Sequence, residues 1–309
     1  MAVTMPVLLD DLAAETETVR ELVEDLPETG WQAGTPSPGW SIADQISHLA
    51  FFDDQARLAL VDPDAFAAGR ATIEEHGIDP DQIAGRYRSW RGSELLSWFT
   101  SGRAELISAF TGADPGSRVP WFSQEMSIGS CATARLMETW AHGVDIADTL
   151  GVPIRATERL RHVAHLGVGA RKFSFLINGR PAPDTPVRVE LTGPAGPWTW
   201  GPPDAPGRVT GPALDFCFAV TQRRHLADLD LVLTGPGAAE WMSLAQAFAG
   251  EPGAGRQPTM HFVPEAGSSP SCATTSRAST SPTTTTSSAS PSTIPAVPST
   301  PSTTCSTPT

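Results

Sequence analysis

Apolar positions in the first half of the chain recur at helical spacing. In residues 7–26, Leu8, Leu12, Val19, Leu22 and Val23 form one stripe with acidic residues between them, and Pro27 stops the run. A turn-rich stretch follows at 34–39. Ser41 then opens a second helix, and Asp44 three residues on gives it a capping-box-like S-x-x-D start. Ile42, Ile46, Leu49 and Ala56 line its apolar side. Residues 81–90 carry a shorter helical pattern. Residues 93–110 carry a fuller one, with Leu95, Leu96, Phe99, Leu106, Ile107 and Phe110. Residues 128–150 read as a long helix closed by Gly151. Four substantial helices joined by connections of mixed length predict a four-helix bundle.

The pattern changes after residue 155. Residues 157–174 predict one more helix. VRVEL (187–191), PWTW (197–200), GRVTG (207–211) and LDLVLTG (229–235) are short, β-branched or aromatic and bounded by Gly and Pro, so they predict strands. Helices are expected at 212–223, with Pro in the first turn, and at 238–249, ended by Gly250. The fold class expected is therefore α+β in two domains, a helix bundle over 1–153 and a small α+β domain over 154–262. The remainder is 263–309; from Gly267 on it is almost entirely Ser, Thr, Pro and Ala, and Arg277 is the single charged residue of 267–309. Such a segment buries too little apolar surface to offset its chain entropy, which predicts a disordered tail. A glycosylated stalk and a spurious extension are the alternatives.

Composition narrows the function. Hydrophobic residues make up 40% of the 309 positions, enough for a sizeable core. Lys and Arg total 21 against 34 Asp and Glu, a formal charge of -13 without any basic stripe, which argues against a nucleic-acid partner. No apolar run approaches the roughly 20 residues of a membrane helix, and the N-terminus lacks the basic start of a signal peptide. The four Cys, at 131, 217, 272 and 305, form no CxxC pair and suggest no disulfide framework. The expectation is a reduced, cytoplasmic protein without a membrane partner, monomeric or dimeric.

The candidate chemistry lies in His48, Glu138 and His142. Glu138 and His142 are four residues apart on a predicted helix, hence on one face about 5–6 Å apart at Cβ. His48 sits on another bundle helix and is placed to supply a third ligand. Two nitrogens and one oxygen suit a catalytic zinc site with an open fourth position. By spacing alone, E-x-x-x-H is common and each His is equally a core or surface residue. Helical spacing also offers Asp44, four before His48, and Asp145, three after His142, as carboxylates that would fix the imidazole rings, or as solvated helix acids. Cys131, two turns before Glu138, reads as a buried core thiol. Arg86, Arg103 and Arg135 lie on bundle helices, and nothing in the sequence chooses among them as an anion partner. His162 and His165 read as a helix surface. Arg223, Arg224 and His225 read as cations completing a helix end.

The segment WQAGTPSPGWSIADQISHL (31–49) resembles the opening of the DinB/YfiT-like metal-binding bundles, in particular the mycothiol-dependent maleylpyruvate isomerase family, whose first metal His lies in such a "T…GW(S/T)…D…HL" stretch. METWAHGVD (137–145) resembles that family's second motif, a Glu and a His four apart. The resemblance covers about residues 5–150. It implies a DinB-like bundle in which His48, Glu138 and His142 hold Zn2+ or another divalent metal. It also implies mycothiol as thiol co-substrate of a transferase or isomerase acting on a small electrophile. The stretch from GPALDF (211–216) through QRRH (222–225) to QAFAG (246–250) is similar to an actinobacterial branch of the family whose second domain is sterol-carrier-like. A non-catalytic metal-binding protein and a small-molecule or lipid carrier remain alternatives. The C-terminal part is also similar to a wyosine-base-formation module, but the acidic charge and the absence of a radical-cluster Cys motif argue against tRNA chemistry.

Overall fold

The computed structural model describes residues 3–259 apart from 78, 123 and 254. The segment expected as a disordered tail lies outside the described residues. Four long helices build the N-terminal part: α1 (Met5–Val23), α3 (Ile42–Val61), α6 (Gly92–Phe110) and α7 (Ile128–Leu150), with the short α2 (Glu28–Trp31), α4 (Pro63–Glu75) and α5 (Pro80–Gly85) between them. In the bundle, α1 and α3 each pack against both α6 and α7. The start of α3 is the predicted capping box. The Ser41 hydroxyl accepts from the Asp44 N–H, and the Asp44 carboxylate accepts the Ser41 N–H at 2.8 Å. Helix α7 runs from an Ser127 cap to Gly151, whose φ of +68° supplies the left-handed residue that ends it.

Helix α4 was not expected. Phe66 is its one buried residue, so it carries no apolar stripe; it forms because Pro63 fits its first turn and the Asp62 side chain caps it. The two-residue strands β1 (Arg118–Val119) and β2 (Met126–Ser127) pair antiparallel just before α7.

Behind the bundle, the single helix predicted for 157–174 divides into α8 (Leu160–Gly169) and α9 (Arg171–Ile177). A Cβ on Gly167 would lie 2.7 Å from the Val220 side chain, so glycine there lets α8 approach α10 (Ala213–Val220) closely. Strands β3 (Val187–Thr192), β4 (Pro197–Trp200), β5 (Gly207–Pro212) and β6 (Val232–Thr234) make a mixed sheet in the order β4-β3-β5-β6, with β3 and β5 parallel. The last helix, α11 (Pro236–Met242), is shorter than predicted. The chain turns instead, and the buried Gln246 amide holds the turn by donating to the Phe248 and Gly250 carbonyls.

Helix α10 also ends early, at Val220. Gln222 takes φ +58°, and the N–H groups of Gln222 and Arg223 bond back to Ala219 and Phe218, a Schellman finish. That frees Arg223 and Arg224 from the helix end where they were expected. They cross to α7 instead: Arg223 meets Asp145 at 3.0 Å and the Ala141 carbonyl at 3.1 Å, and Arg224 clasps Asp148 with two bonds. Trp140 of α7 packs on Phe218 of α10, and one buried apolar cluster runs from Leu8 through α7 to Trp241. The interface between the N- and C-terminal parts is thus both apolar and ion-paired.

Candidate metal centre

Helix α3 presents His48, and α7 presents Glu138 and His142, one turn apart. Their ligand atoms lie within 4.8 Å of one another. Glu138 Oε2 is 3.2 Å from His142 Nε2 and 3.8 Å from His48 Nε2. Ligands about 2.0–2.1 Å from a tetrahedral zinc stand about 3.3–3.4 Å from each other, so these separations bracket what such an ion needs.

The protonation of His142 can be read from its neighbours. The Thr35 hydroxyl donates to the Trp40 carbonyl at 3.0 Å and therefore accepts from the Gln45 amide nitrogen at 2.9 Å. The Gln45 oxygen, which can only accept, then faces His142 Nδ1, so Nδ1 carries the proton. The lone pair of Nε2 consequently points at the Glu138 carboxylate, with acceptor facing acceptor at 3.2 Å. Such a contact requires a cation between the two, either a second ring proton or a metal ion. His48 joins from the other helix with its Nδ1 buried and without a hydrogen bond. Burial and the neighbouring His142 push the His48 pKa down to about 4, which leaves a neutral imidazole able to ligate. Burial works against the Glu138 carboxylate, but contacts with His142 and His48 and the charge of Arg135 outweigh it and hold the carboxyl well below its usual range. The donor set fits a divalent cation with one position left open.

The loop before α3 covers the imidazoles. Ser37 donates to Asp145 at 2.9 Å and the Thr35 N–H bonds the Trp40 carbonyl, which seats the Trp40 ring 5.8 Å from His142 in a stack and 5.2 Å from His48. The two carboxylates proposed to orient the rings are engaged elsewhere. Asp44 is occupied by its capping box and by Arg88 at 2.8 Å, and Asp145 by Ser37, Arg223 and Arg256. Gln45 takes that role for His142, a partner visible only once the loop and α7 are brought together.

Of the three arginines, Arg86 is exposed, Arg103 is locked in the core on Asp53, Thr16 and Thr139, and Arg135 reaches the site. Cys131 is buried, which pushes its thiol up to about 11. His162, expected on a surface, is buried with Nε2 against Asp11 at 2.8 Å, while His165 accepts from the Trp200 indole.

His48 and Glu138 open into a cavity of about 420 Å³. Bundle residues form one side. Leu166, Phe173 and the 247–250 turn form the other, so both parts of the chain line it.

Fold and site together define a DinB-like helical domain with a His/Glu/His donor set, backed by a small mixed sheet. Residues 12–147 match the mycothiol maleylpyruvate isomerase N-terminal domain family, and residues 183–234 match a family described as wyosine base formation. An uncharacterised protein of Mycobacterium tuberculosis, found in two strains, is 47% identical over 249 residues, covering 80% of this chain and 96% of that protein. The crystal structure of the mycothiol-dependent maleylpyruvate isomerase aligns at a TM-score of 0.53 and 12% identity, over 76% of this chain and 96% of that one. A histidine-to-alanine variant of that enzyme aligns at 0.52 and 11%, over 74% and 93%. The chain carries the mycothiol maleylpyruvate isomerase N-terminal domain over residues 12–147 and belongs to one family with the mycobacterial protein.

Proposed function

We propose that the chain is a zinc-dependent transferase or isomerase that uses a low-molecular-weight thiol, mycothiol, on a small electrophile. The observation that carries the reading is the convergence of His142 Nε2 and His48 on the Glu138 carboxylate, with His142 Nδ1 turned to the Gln45 oxygen. The solved relatives are named for mycothiol-dependent isomerisation, which supports the thiol. Held by His48, Glu138 and His142, zinc would supply a fourth, exchangeable position at which a thiol of pKa about 8.5 ionises near neutral pH.

The protein's own groups prepare that position. Gln45 keeps the Nε2 lone pair of His142 presented, and Trp40 shields the imidazoles from water on one side. Among the described cysteines, Cys131 and Cys217 are both buried with raised pKa values, so neither serves as the nucleophile. An external thiol fits that gap, and with it a reducing, cytoplasmic setting. The bundle would carry the metal, and the C-terminal part would complete the chamber for the electrophile.

Metal analysis of the purified full chain tests the first half: about one zinc per chain, lost in His142→Ala. A screen of electrophiles with and without mycothiol tests the second. Zinc-free protein, or conversion indifferent to the thiol, would refute the reading.

A further inference from the structure

Arg135 stands one turn before Glu138 on α7, lines the same cavity and is 4% exposed. Its guanidinium donates no hydrogen bond to any described residue, and its Nη1 is buried without a partner. The nearest carboxylate, Asp53, lies 3.8 Å away and is already held by Arg103 through two bonds of 2.8 and 3.0 Å. A buried Arg with unused donors costs stability unless an acceptor arrives, and a carboxylate matches its planar fork.

The surrounding charge points the same way. Asp53 and Glu138 balance Arg103 and Arg135. A divalent cation at the donor set would then leave an excess of two positive charges, which a thiolate and one further anion would neutralise.

The walls restrict what carries that anion. Phe52, Trp121, Phe122, Phe173 and Phe248 line the chamber, and among the described lining residues the polar groups beyond His48, Glu138 and Arg135 are Gln124, the Cys131 thiol and the Trp121 indole N–H. Phe52 lies 5.9 Å below the Arg135 guanidinium. A second carboxylate on the ligand would face mainly aromatic rings and lose its hydration with no second cationic side chain among the described lining residues to receive it. At about 420 Å³ the space is near the lower end of small-molecule sites, ring-sized rather than lipid-sized.

We propose that this cavity binds a flat, apolar monocarboxylate, its carboxylate on Arg135 and its ring among the five aromatic side chains. That its ligand is the electrophile rests on the function proposed above; binding itself does not require the metal.

The test is calorimetric titration of the full chain, metal-free and zinc-loaded, with trans-cinnamate, cinnamamide and maleate. Cinnamate is expected to saturate one site in both forms, and cinnamamide and maleate to bind about tenfold or more weakly. Arg135→Met should weaken cinnamate by about tenfold or more and leave cinnamamide within about twofold. Maleate binding as tightly as cinnamate, equal binding of acid and amide, or indifference to Arg135→Met would overturn the proposal. Should that variant not fold, the three ligands on the unaltered chain decide the matter. Zinc uptake without cinnamate binding would remove this inference and leave the metal reading standing. Charge-selective cinnamate binding by a chain that takes up no zinc would do the reverse.

Discussion

Replacing Gln45 by Leu removes the acceptor that holds the His142 Nδ1 proton while nearly keeping side-chain volume. Gln45 is fully buried, so no water replaces its oxygen. Two costs follow. The first, an unpaired buried N–H worth about 1–3 kcal/mol, falls on the fold with or without metal. The second is specific to the ion. Once the ring is free to place its proton on Nε2, the lone pair no longer faces Glu138, and loss of such an orienting partner costs about 10–100-fold in metal affinity. That corresponds to about 1.4–2.7 kcal/mol. Thr35→Val acts one bond further out, removing the acceptor that fixes the Gln45 amide, and should cost less than about tenfold. Zinc competition against a fluorescent chelator reads the second cost, and urea unfolding of the metal-free chain reads the first. A folded Gln45→Leu variant with unchanged zinc affinity would refute the tautomer assignment and the reasoning built on it.

With its thiol near 11, Cys131 should carry about one part in a thousand of thiolate at pH 8 and resist iodoacetamide in the native chain; rapid labelling of its peptide by mass spectrometry would contradict this. His48 titrates near 4 when folded against about 6.5 unfolded, so the unfolded state binds the extra proton between those values and stability falls as pH drops through that window. The metal-free chain should lose about 2 kcal/mol from this group between pH 7.5 and 5.0 in urea titrations, and His48→Gln should flatten that dependence. Asp145 is fully buried between Arg223 and Arg256, so Asp145→Asn should cost about 3 kcal/mol of unfolding free energy; a change below about 1 kcal/mol would show those pairs to be dispensable.

What was legible in the sequence was what local rules govern. The Ser41–Asp44 cap, the span of α7 and its Gly151 stop follow from residues within a turn of each other, and the structure reproduces them. The convergence of His48 on Glu138 and His142 followed from two motifs set on bundle helices. The partners of those ligands did not, because they depend on which distant groups compete. Asp145 has the spacing to serve His142, yet three donors from the 34–40 loop and the C-terminal part claim it. Gln45 has no charge or motif to mark it and gains its role through Thr35 and Trp40. Helix α4 lacks an apolar stripe and was invisible to periodicity. The turn at 245–250 reads as helix until the Gln246 side chain is seen to donate to the Phe248 and Gly250 carbonyls.

The C-terminal part carries more than support for the bundle. Its docking includes Trp140 on Phe218 and arginines on Asp145 and Asp148, which fall on the α7 that bears Glu138 and His142, and Arg159 on Glu15 and His162 on Asp11, which fall on α1. Asp145 is one turn beyond His142, and the Ser37 that it also binds belongs to the loop seating Trp40. A shift of Arg223 would therefore reach the ring stacked on His142 through two contacts. The far wall of the cavity, Phe173 and the 247–250 turn, comes from the same part of the chain and is fixed by Ser174 bonding Gln246 and by the Ala247 N–H on Val220. The matched family domain ends at residue 147, whereas the 249-residue alignment with the mycobacterial protein is longer than the stretch up to the end of α7 at Leu150 and must extend into the C-terminal part. The donor set thus belongs to the wider family's domain. The wall opposite it, Phe173 and the 247–250 turn, lies outside that domain.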